Sequence, residues 1–346
     1  MRIVILSEEV FGVPDEGIKK FTLKLFEVLS NEHDVIGITV SDKDQLDVPD
    51  KFIHICSNRL FINSTLCTVL RKTRPSLLIY SSASCGNFFS MLRMKIVKHY
   101  VPEAKIAVII FQPVQYNRLE NLFLPFLMPD LIFSQTPKTK DVFAFAPEKV
   151  FFMPAGVDTQ KFIPVDSKTK DMIRNRYNFN SQDFIVLHVG HIIRNRGVQV
   201  LASLAKKNEA KVLLVGSTST LADEELVRDL SSDGVVILRS YFPNIEELYQ
   251  IADVYVFLVT NEDASTAVPL SVLEAMSCNI PVLSTPFGGL VKMFKEGNGF
   301  YFFKEGELVN KLNLLKHNSS CTNRQAVMSY DWQCIGRRII EIIELT

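Results

Sequence analysis

The residues best suited to chemistry lie between positions 188 and 290. Ser265-Thr266-Ala267-Val268-Pro269-Leu270-Ser271-Val272-Leu273-Glu274-Ala275-Met276 reads as a helix that follows an apolar strand at Val254–Val259. Ser265 or Thr266 is of the type that caps a helix, and Pro269 suits a first turn. The opening N–H groups of such a helix (about 268–271) have no intrahelical partner and carry the positive end of its dipole, which favours a phosphate. Leu270 and Glu274 are four apart and share a face. A phosphate over the first turn would therefore bring an attached ribose near the Glu274 carboxylate. A capped surface helix with a solvated glutamate accounts for the same residues.

Two further segments carry the same kind of signal. In His188-Val189-Gly190-His191-Ile192-Ile193-Arg194-Asn195-Arg196-Gly197 a glycine ends a strand and two arginines precede a helix. Guanidinium groups stay charged and can grip phosphate oxygens in pairs, so this loop suits a diphosphate. The competing reading is that Arg194 and Arg196 are solvated loop residues. His188 lies inside the strand and reads as a packed core histidine. In Pro286-Phe287-Gly288-Gly289-Leu290 the paired glycines allow a ligand to approach the backbone closely, although a plain turn has the same composition.

The elements that would hold these loops form two α/β programmes. Residues 2–6 are an apolar run, followed by a loop with Gly12, Pro14 and Gly17, a helical pattern from Ile18 to Leu29 and a strand at Val35–Val40. Strand, glycine-bearing loop, helix and strand open a parallel α/β sheet. Continuous apolar runs at Ser76–Tyr80, Ile106–Phe111, Leu131–Ser134 and Val150–Met153 suit strands covered on both faces. Pro154 to Pro164 breaks the pattern. Strands then recur at Ile185–Val189, Val212–Val215, Val235–Leu238, Val254–Val259 and Pro281–Ser284, with helices near 198–205, 222–231, 244–251 and 269–278. Two doubly wound sheets in tandem take ligands at their strand C-termini.

Composition narrows the class further. At 346 residues the chain suits about two domains, and 47% hydrophobic with 22% charged residues is ordinary globular usage. Lys plus Arg equals Asp plus Glu at 38 each, with 18 against 16 up to Val150, so neither half is basic enough to attract nucleic acid. The six cysteines include no C-x-x-C pair, which favours reduced thiols over a zinc site. No run approaches the roughly 18 apolar residues that a membrane span needs, so the expected location is cytoplasmic. Between Arg71 and Lys105, however, seven basic residues face the single acidic Glu103, with Phe88, Phe89, Leu92 and Ile96 among them. Such a helix either rests on an anionic inner membrane face, as a peripheral contact, or is a core helix with snorkelling lysines. Leu122–Met128 has the same ambiguity.

The ordered set Pro154-x-Gly156-Val157-Asp158…Phe162-x-Pro164, Val189-Gly190…Arg196-Gly197, Leu214-Val215-Gly216, Leu248-Tyr249…Ala252-Asp253-Val254, Leu273-Glu274-Ala275-Met276-Ser277, Pro281-Val282 and Gly288-Gly289 resembles the retaining family 4 glycosyltransferases. The likeness is strongest from 150 to 300, and its Pro-Leu-Ser-Val-Leu-Glu-Ala-Met form looks most similar to archaeal members. It implies the α/β GT-B architecture, two Rossmann-like domains whose parallel sheets face a central cleft. Residues 1–160 would bind the acceptor, residues 161–330 a nucleotide-diphosphate sugar, and a helix at 331–346 would pack back across both.

By that resemblance Arg196 neutralises the donor diphosphate, Glu274 binds the ribose, and Gly17, Gly190, His191, Arg194, Thr266, Pro269, Leu270, Gly288 and Gly289 contact the donor. It implies no cofactor and no metal, and a glycan or lipid-linked acceptor in envelope or glycoconjugate synthesis. The chain departs from the family at Thr266 (a glutamate there), at His191 (an arginine), and at Phe111-Gln112-Pro113, which lacks a histidine. A nucleotide-binding protein of this architecture without transfer activity, acting as a partner or regulatory subunit, is the alternative; a nucleotide-sugar epimerase is a third. The absence of G-x-G-x-x-G after the first strand argues against a dinucleotide enzyme.

Overall fold

A computed structural model describes residues 1–8, 10–42, 48–57, 62–206, 210–218, 221–304, 306–317 and 320–346. It divides into two units, Met1–Ala155 with Trp332–Thr346, and Gly156–Asp331. The change of unit thus falls inside the Pro154–Pro164 break.

The first unit is a seven-stranded, wholly parallel sheet of β1 (Arg2–Ser7), β2 (Asp34–Ser41), β3 (Phe52–Cys56), β4 (Leu77–Ser81), β5 (Lys105–Ile110), β6 (Leu131–Ser134) and β7 (Val150–Phe152). Their order is β3-β2-β1-β4-β5-β6-β7, so the winding reverses between β1 and β4. Val4, Leu6, Leu78, Tyr80, Ile106 and Val108 bury one face beneath the helices Ser64–Thr73, Phe88–Tyr100 and Arg118–Leu127. The helix Gly17–Leu29 packs with the closing helix Trp332–Leu345 in this same unit. There Phe21 meets Trp332 edge-on at 5.2 Å, and a Cβ on Gly336 would lie only 2.5 Å from Val28 Cγ1. Glycine at 336 therefore sets how closely the two helices approach.

The second unit carries β8 (Ile185–Val189), β9 (Lys211–Val215), β10 (Val236–Leu238), β11 (Val254–Phe257), β12 (Val282–Ser284) and β13 (Phe300–Phe302). All are parallel, in the order β10-β9-β8-β11-β12-β13, and the reversal lies between β8 and β11. Alternation along β11 sorts its side chains. Val254 and Val256 join Val186, Val198, Leu201 and Leu214 in one core. Tyr255 and Phe257 point the other way, where Tyr255 meets Tyr249 at 5.9 Å and Phe257 meets Phe287 at 5.2 Å.

Two strands are absent from the sequence expectation. β3 is an edge strand whose inward residues are Phe52 and Ile55, separated by the exposed Ile53 and half-buried His54. β13 is three residues long, too short for a periodic signal. All six cysteines are free thiols, with Cys67, Cys85 and Cys278 buried.

The N-terminal edge of the second sheet is pinned by a nearly enclosed ion pair. Arg174, on the helix Ser167–Arg176, donates to Asp253 Oδ2 at 2.6 Å and to the Ile251 carbonyl, while Ile185 N donates to the same carboxylate at 2.7 Å. Lys170 binds the other oxygen at 2.7 Å. Removing one partner of a buried pair strands the other charge, which costs about 3–5 kcal/mol. Asp253→Ala should therefore lower stability by about 3 kcal/mol in urea unfolding, and a loss under about 1 kcal/mol would show that Arg174 finds other partners.

Candidate functional site

Three loops leave the C-terminal edge of the second sheet around the reversal between β8 and β11: Gly190–Gly197, 258–269 and 285–289. Backbone approaches that only glycine permits lock them together. Gly197 has φ +74, and a Cβ on it would lie 3.1 Å from the Leu258 carbonyl oxygen. Gly288 has φ +47, and its Cβ would lie 2.3 Å from the Ala267 carbonyl oxygen. Gly289 N donates to that same oxygen at 2.8 Å. The paired glycines thus serve a backbone-to-backbone contact within the protein.

The helix begins later than its composition suggests. It runs Leu270–Ser277, with Pro269 in extended conformation at the N-cap position and no side-chain cap. Neither Ser265 nor Thr266 caps it; the Thr266 hydroxyl instead donates to the Val268 carbonyl at 3.3 Å. A proline whose own N–H is missing leaves the helix opening to the N–H groups of Leu270 and Ser271, which have no acceptor within the helix. That end remains suited to an anion.

Glu274 is buried rather than solvated, at 6% exposure. Its Oε2 accepts from the Tyr249 hydroxyl at 2.6 Å. Burial first, and then the Glu274 charge, push the Tyr249 hydroxyl well above its ordinary range and raise the Cys278 thiol. Tyr249 is therefore a fixed donor at neutral pH.

On the other side of the reversal, Arg196 packs against Gly190. A Cβ on Gly190 would lie 2.9 Å from an Arg196 terminal nitrogen and 3.3 Å from His188 Nε2. Glycine at 190 leaves the space that this guanidinium fills. His188 Nδ1 donates to the Val256 carbonyl at 2.8 Å, so Nε2 is the unprotonated nitrogen of a neutral ring. Arg194 does not join this group. It pairs with Asp223 at 3.2 Å and Glu225 at 3.0 Å and is half exposed. His191 is half-buried at the start of the loop. Gly17 opens its helix in the first unit.

The hydroxyls of Tyr255 and Tyr249 escape the sequence reading because both rings are wholly buried in strand and helix, and that of Ser271 because only its backbone N–H figured in the helix opening. The Tyr255 hydroxyl donates to Ser271 Oγ at 2.7 Å and lies 3.4 Å from the Val189 carbonyl, while its ring stacks on His188 at 6.4 Å. The period-2 alternation of β11 was the available signal. It sets Tyr255 apart from Val254 and Val256. Among the described residues, no group of three or more His, Cys, Asp or Glu side chains could hold a metal ion.

The architecture, two Rossmann-like α/β domains with a phosphate-suited loop cluster in the second, is of the GT-B class. Residues 169–331 match the family described as "Glycosyl transferases group 1". It is 23% identical to mannosylfructose-phosphate synthase of Agrobacterium fabrum over 258 residues, which cover 66% of this chain and 56% of that one. It is 24% identical to alpha-galactosylglucosyldiacylglycerol synthase of Streptococcus pneumoniae over 193 residues, 53% of this chain and 48% of the relative. The matched region thus spans about half the length of these relatives. Among solved structures, Anabaena HepE in complex with UDP superposes with a TM-score of 0.78 at 15% identity, covering 100% of both chains.

The neutral, enclosed His188 makes stability pH-dependent. Burial, reinforced by the Arg196 charge and opposed by the Val256 hydrogen bond, pulls its pKa down to about 4. An unfolded histidine titrates near about 6.5, so between the two values only the unfolded chain takes up the proton. The stabilisation is complete above about 6.5 and is lost as pH falls, by up to about 1.4 kcal/mol per unit. Urea midpoints measured from neutral pH downward should converge between the wild type and His188→Phe. Parallel curves would mean that His188 accepts a proton while folded.

Proposed function

We propose that this chain is a retaining glycosyltransferase that moves a sugar from a nucleotide-diphosphate sugar to a hydroxyl of a glycan or lipid-linked acceptor, without a metal cofactor. The observation that carries the reading is the convergence in the second unit of Arg196 on Gly190, the Leu270–Ser277 helix opening and Glu274 four residues into that helix. In this reading the sugar–phosphate bond breaks and a bond from the sugar carbon to the acceptor oxygen forms on the same face. The acceptor proton passes to the leaving diphosphate. Arg196 and the helix N–H groups stabilise the charge that develops there. Glu274, braced by Tyr249, accepts from the ribose hydroxyls.

UDP in HepE and the diacylglycerol-based name of the pneumococcal relative support a nucleotide donor and a lipid-linked acceptor. Incubation with UDP-, GDP- and ADP-sugars and a hydroxyl acceptor should yield a glycoside whose anomeric proton coupling matches the donor's, with the rate unchanged by a chelator. Arg196→Ala should lower turnover by about a thousandfold while the chain stays folded. Near-normal turnover would remove Arg196 from catalysis, and an inverted product would refute retention.

A peripheral membrane position belongs to the same reading, through a surface that differs from the one its basic residues suggest. In the helix Phe88–Tyr100, Met91, Met94 and Val97 are core, and Lys98 is tied to Asp130 at 3.0 Å. The greasier face belongs to Arg118–Leu127, started by a capping box between Asn117 and Glu120. Leu119, Leu122, Phe123 and Phe126 on it are exposed, with Leu119 and Phe126 above 70%, and Phe89, Leu92 and Ile96 are exposed on the neighbouring helix. Exposed Lys95, Arg118, Arg71 and Lys72 on the three helices of this layer favour an anionic bilayer over a neutral partner. No helix among the described residues is long and apolar enough to cross a membrane. Leu122→Ser with Phe126→Ser should abolish flotation with phosphatidylglycerol vesicles, and Lys95→Glu should weaken it. Equal flotation of all variants would contradict the surface.

A further inference from the structure

A second polar constellation stands in the first unit, and the donor reading does not use it. The first sheet reverses between β1 and β4, and such a reversal opens a crevice beyond the strand ends, where doubly wound sheets take ligands. Glu8 follows β1 directly, Ser82 and Ser84 follow β4, and Arg93 lies on the next helix, Phe88–Tyr100. Arg93, Ser84 and Tyr80, the last on β4 itself, converge on one atom of Glu8. Glu8 Oε1 accepts from Arg93 at 2.7 Å, from Ser84 Oγ at 2.9 Å and from the Tyr80 hydroxyl at 2.5 Å.

The arrangement is lopsided. Arginine and carboxylate groups that serve to tie two elements together commonly meet through both oxygens. Here three donors occupy Oε1, and Oε2 accepts from none of the described residues, while the side chain keeps 21% of its surface exposed. Tyr80 is wholly enclosed, and burial followed by its charged neighbours pushes its hydroxyl well above the ordinary range, so it is a permanent donor. Ser82, fully buried at the same strand end, has a hydroxyl without a hydrogen-bond partner among the described residues. Three anchors fix one oxygen and thereby aim the other.

We infer that Glu8 Oε2 receives a hydroxyl of the acceptor, and that the group seated at this crevice is a neutral polyol rather than a phosphorylated one. This rests on the transferase reading for the word acceptor, but the binding itself does not require transfer. Arg93 is the one cation that pairs with Glu8 among the described residues, and it already balances the carboxylate. A phosphate placed here would sit beside a carboxylate with no further cation to offset the repulsion. A polyol hydroxyl can donate to Oε2 at no such cost.

Saturation-transfer NMR on the full chain without donor tests this with glucose, mannose and myo-inositol against glucose 6-phosphate. At least one neutral polyol should bind, and Glu8→Gln, which replaces the open acceptor with an amide NH2 or forces the pair to rearrange, should weaken it at least tenfold. The thermal midpoint of that variant should fall, because Arg93 loses its charge partner, but the rise of that midpoint with UDP or GDP should match the wild type's, which separates loss of the polyol contact from general damage to the fold. Glu8→Ala should abolish polyol binding. Neutral polyols that bind Glu8→Gln as tightly as the wild type, binding of the phosphorylated sugar alone, or no binding of any would each overturn the inference. Loss of transfer with polyol binding intact would count against the transferase reading instead.

Discussion

The second unit depends on one side chain placed where its sheet reverses direction. Tyr255 leaves β11 on the face opposite Val254 and Val256, and there it meets His188, Tyr249 and Ser271, one from each of three neighbouring elements of the candidate donor site. Its ring stacks on His188, which lies against the Gly190 and Arg196 contact. Its hydroxyl reaches Ser271 in the helix opening. It also meets, at a tilt, the ring of Tyr249, the residue that holds Glu274. A rigid aromatic with a polar tip suits this role because it fills volume and still satisfies a hydrogen bond at its end. With the glycine contacts between the loops it holds these groups in place, and charge stabilisation needs donors already in place.

The two ends of the sheet divide the labour. Asp253, Arg174 and Lys170 close the N-terminal edge with a buried ion pair, while the C-terminal edge is built from glycines, a short helix and neutral aromatics. The first edge resists unfolding. The second gathers a helix opening, a guanidinium and a buried carboxylate. The first unit repeats the logic at its own reversal, where Glu8, Tyr80, Ser84 and Arg93 gather.

Periodicity made most of the architecture legible. Eleven of the strands announce themselves as continuous apolar runs, because both faces of a parallel sheet are covered. β3 lies at an edge with only Phe52 and Ile55 buried and β13 is too brief, so neither shows that signature. The site was legible in part. Gly190, Arg196, Glu274 and Gly288 stand where strand ends and helix starts place them. Composition alone misassigns the cap, since Ser265 and Thr266 are of capping type but a loop intervenes before Pro269. Arg194 and Arg196 are two apart in one loop and indistinguishable by type, yet acidic residues on the helix Glu224–Ser232 claim the first and a glycine makes room for the second. Such choices depend on residues distant in sequence. Tyr255 and Tyr249 are hidden for the same reason, as polar atoms on residues that otherwise read as core.

The central claim is that the second unit holds a nucleoside diphosphate through its backbone and Arg196 without a metal. Thermal unfolding of the full chain with UDP, GDP, ADP, CMP and NAD, with and without magnesium, measures this directly, because a ligand that binds only the folded state must raise its stability. The account predicts a rise with one nucleoside diphosphate, unaffected by magnesium and lost in Arg196→Ala. No rise with any nucleotide, or one that requires magnesium, would contradict it.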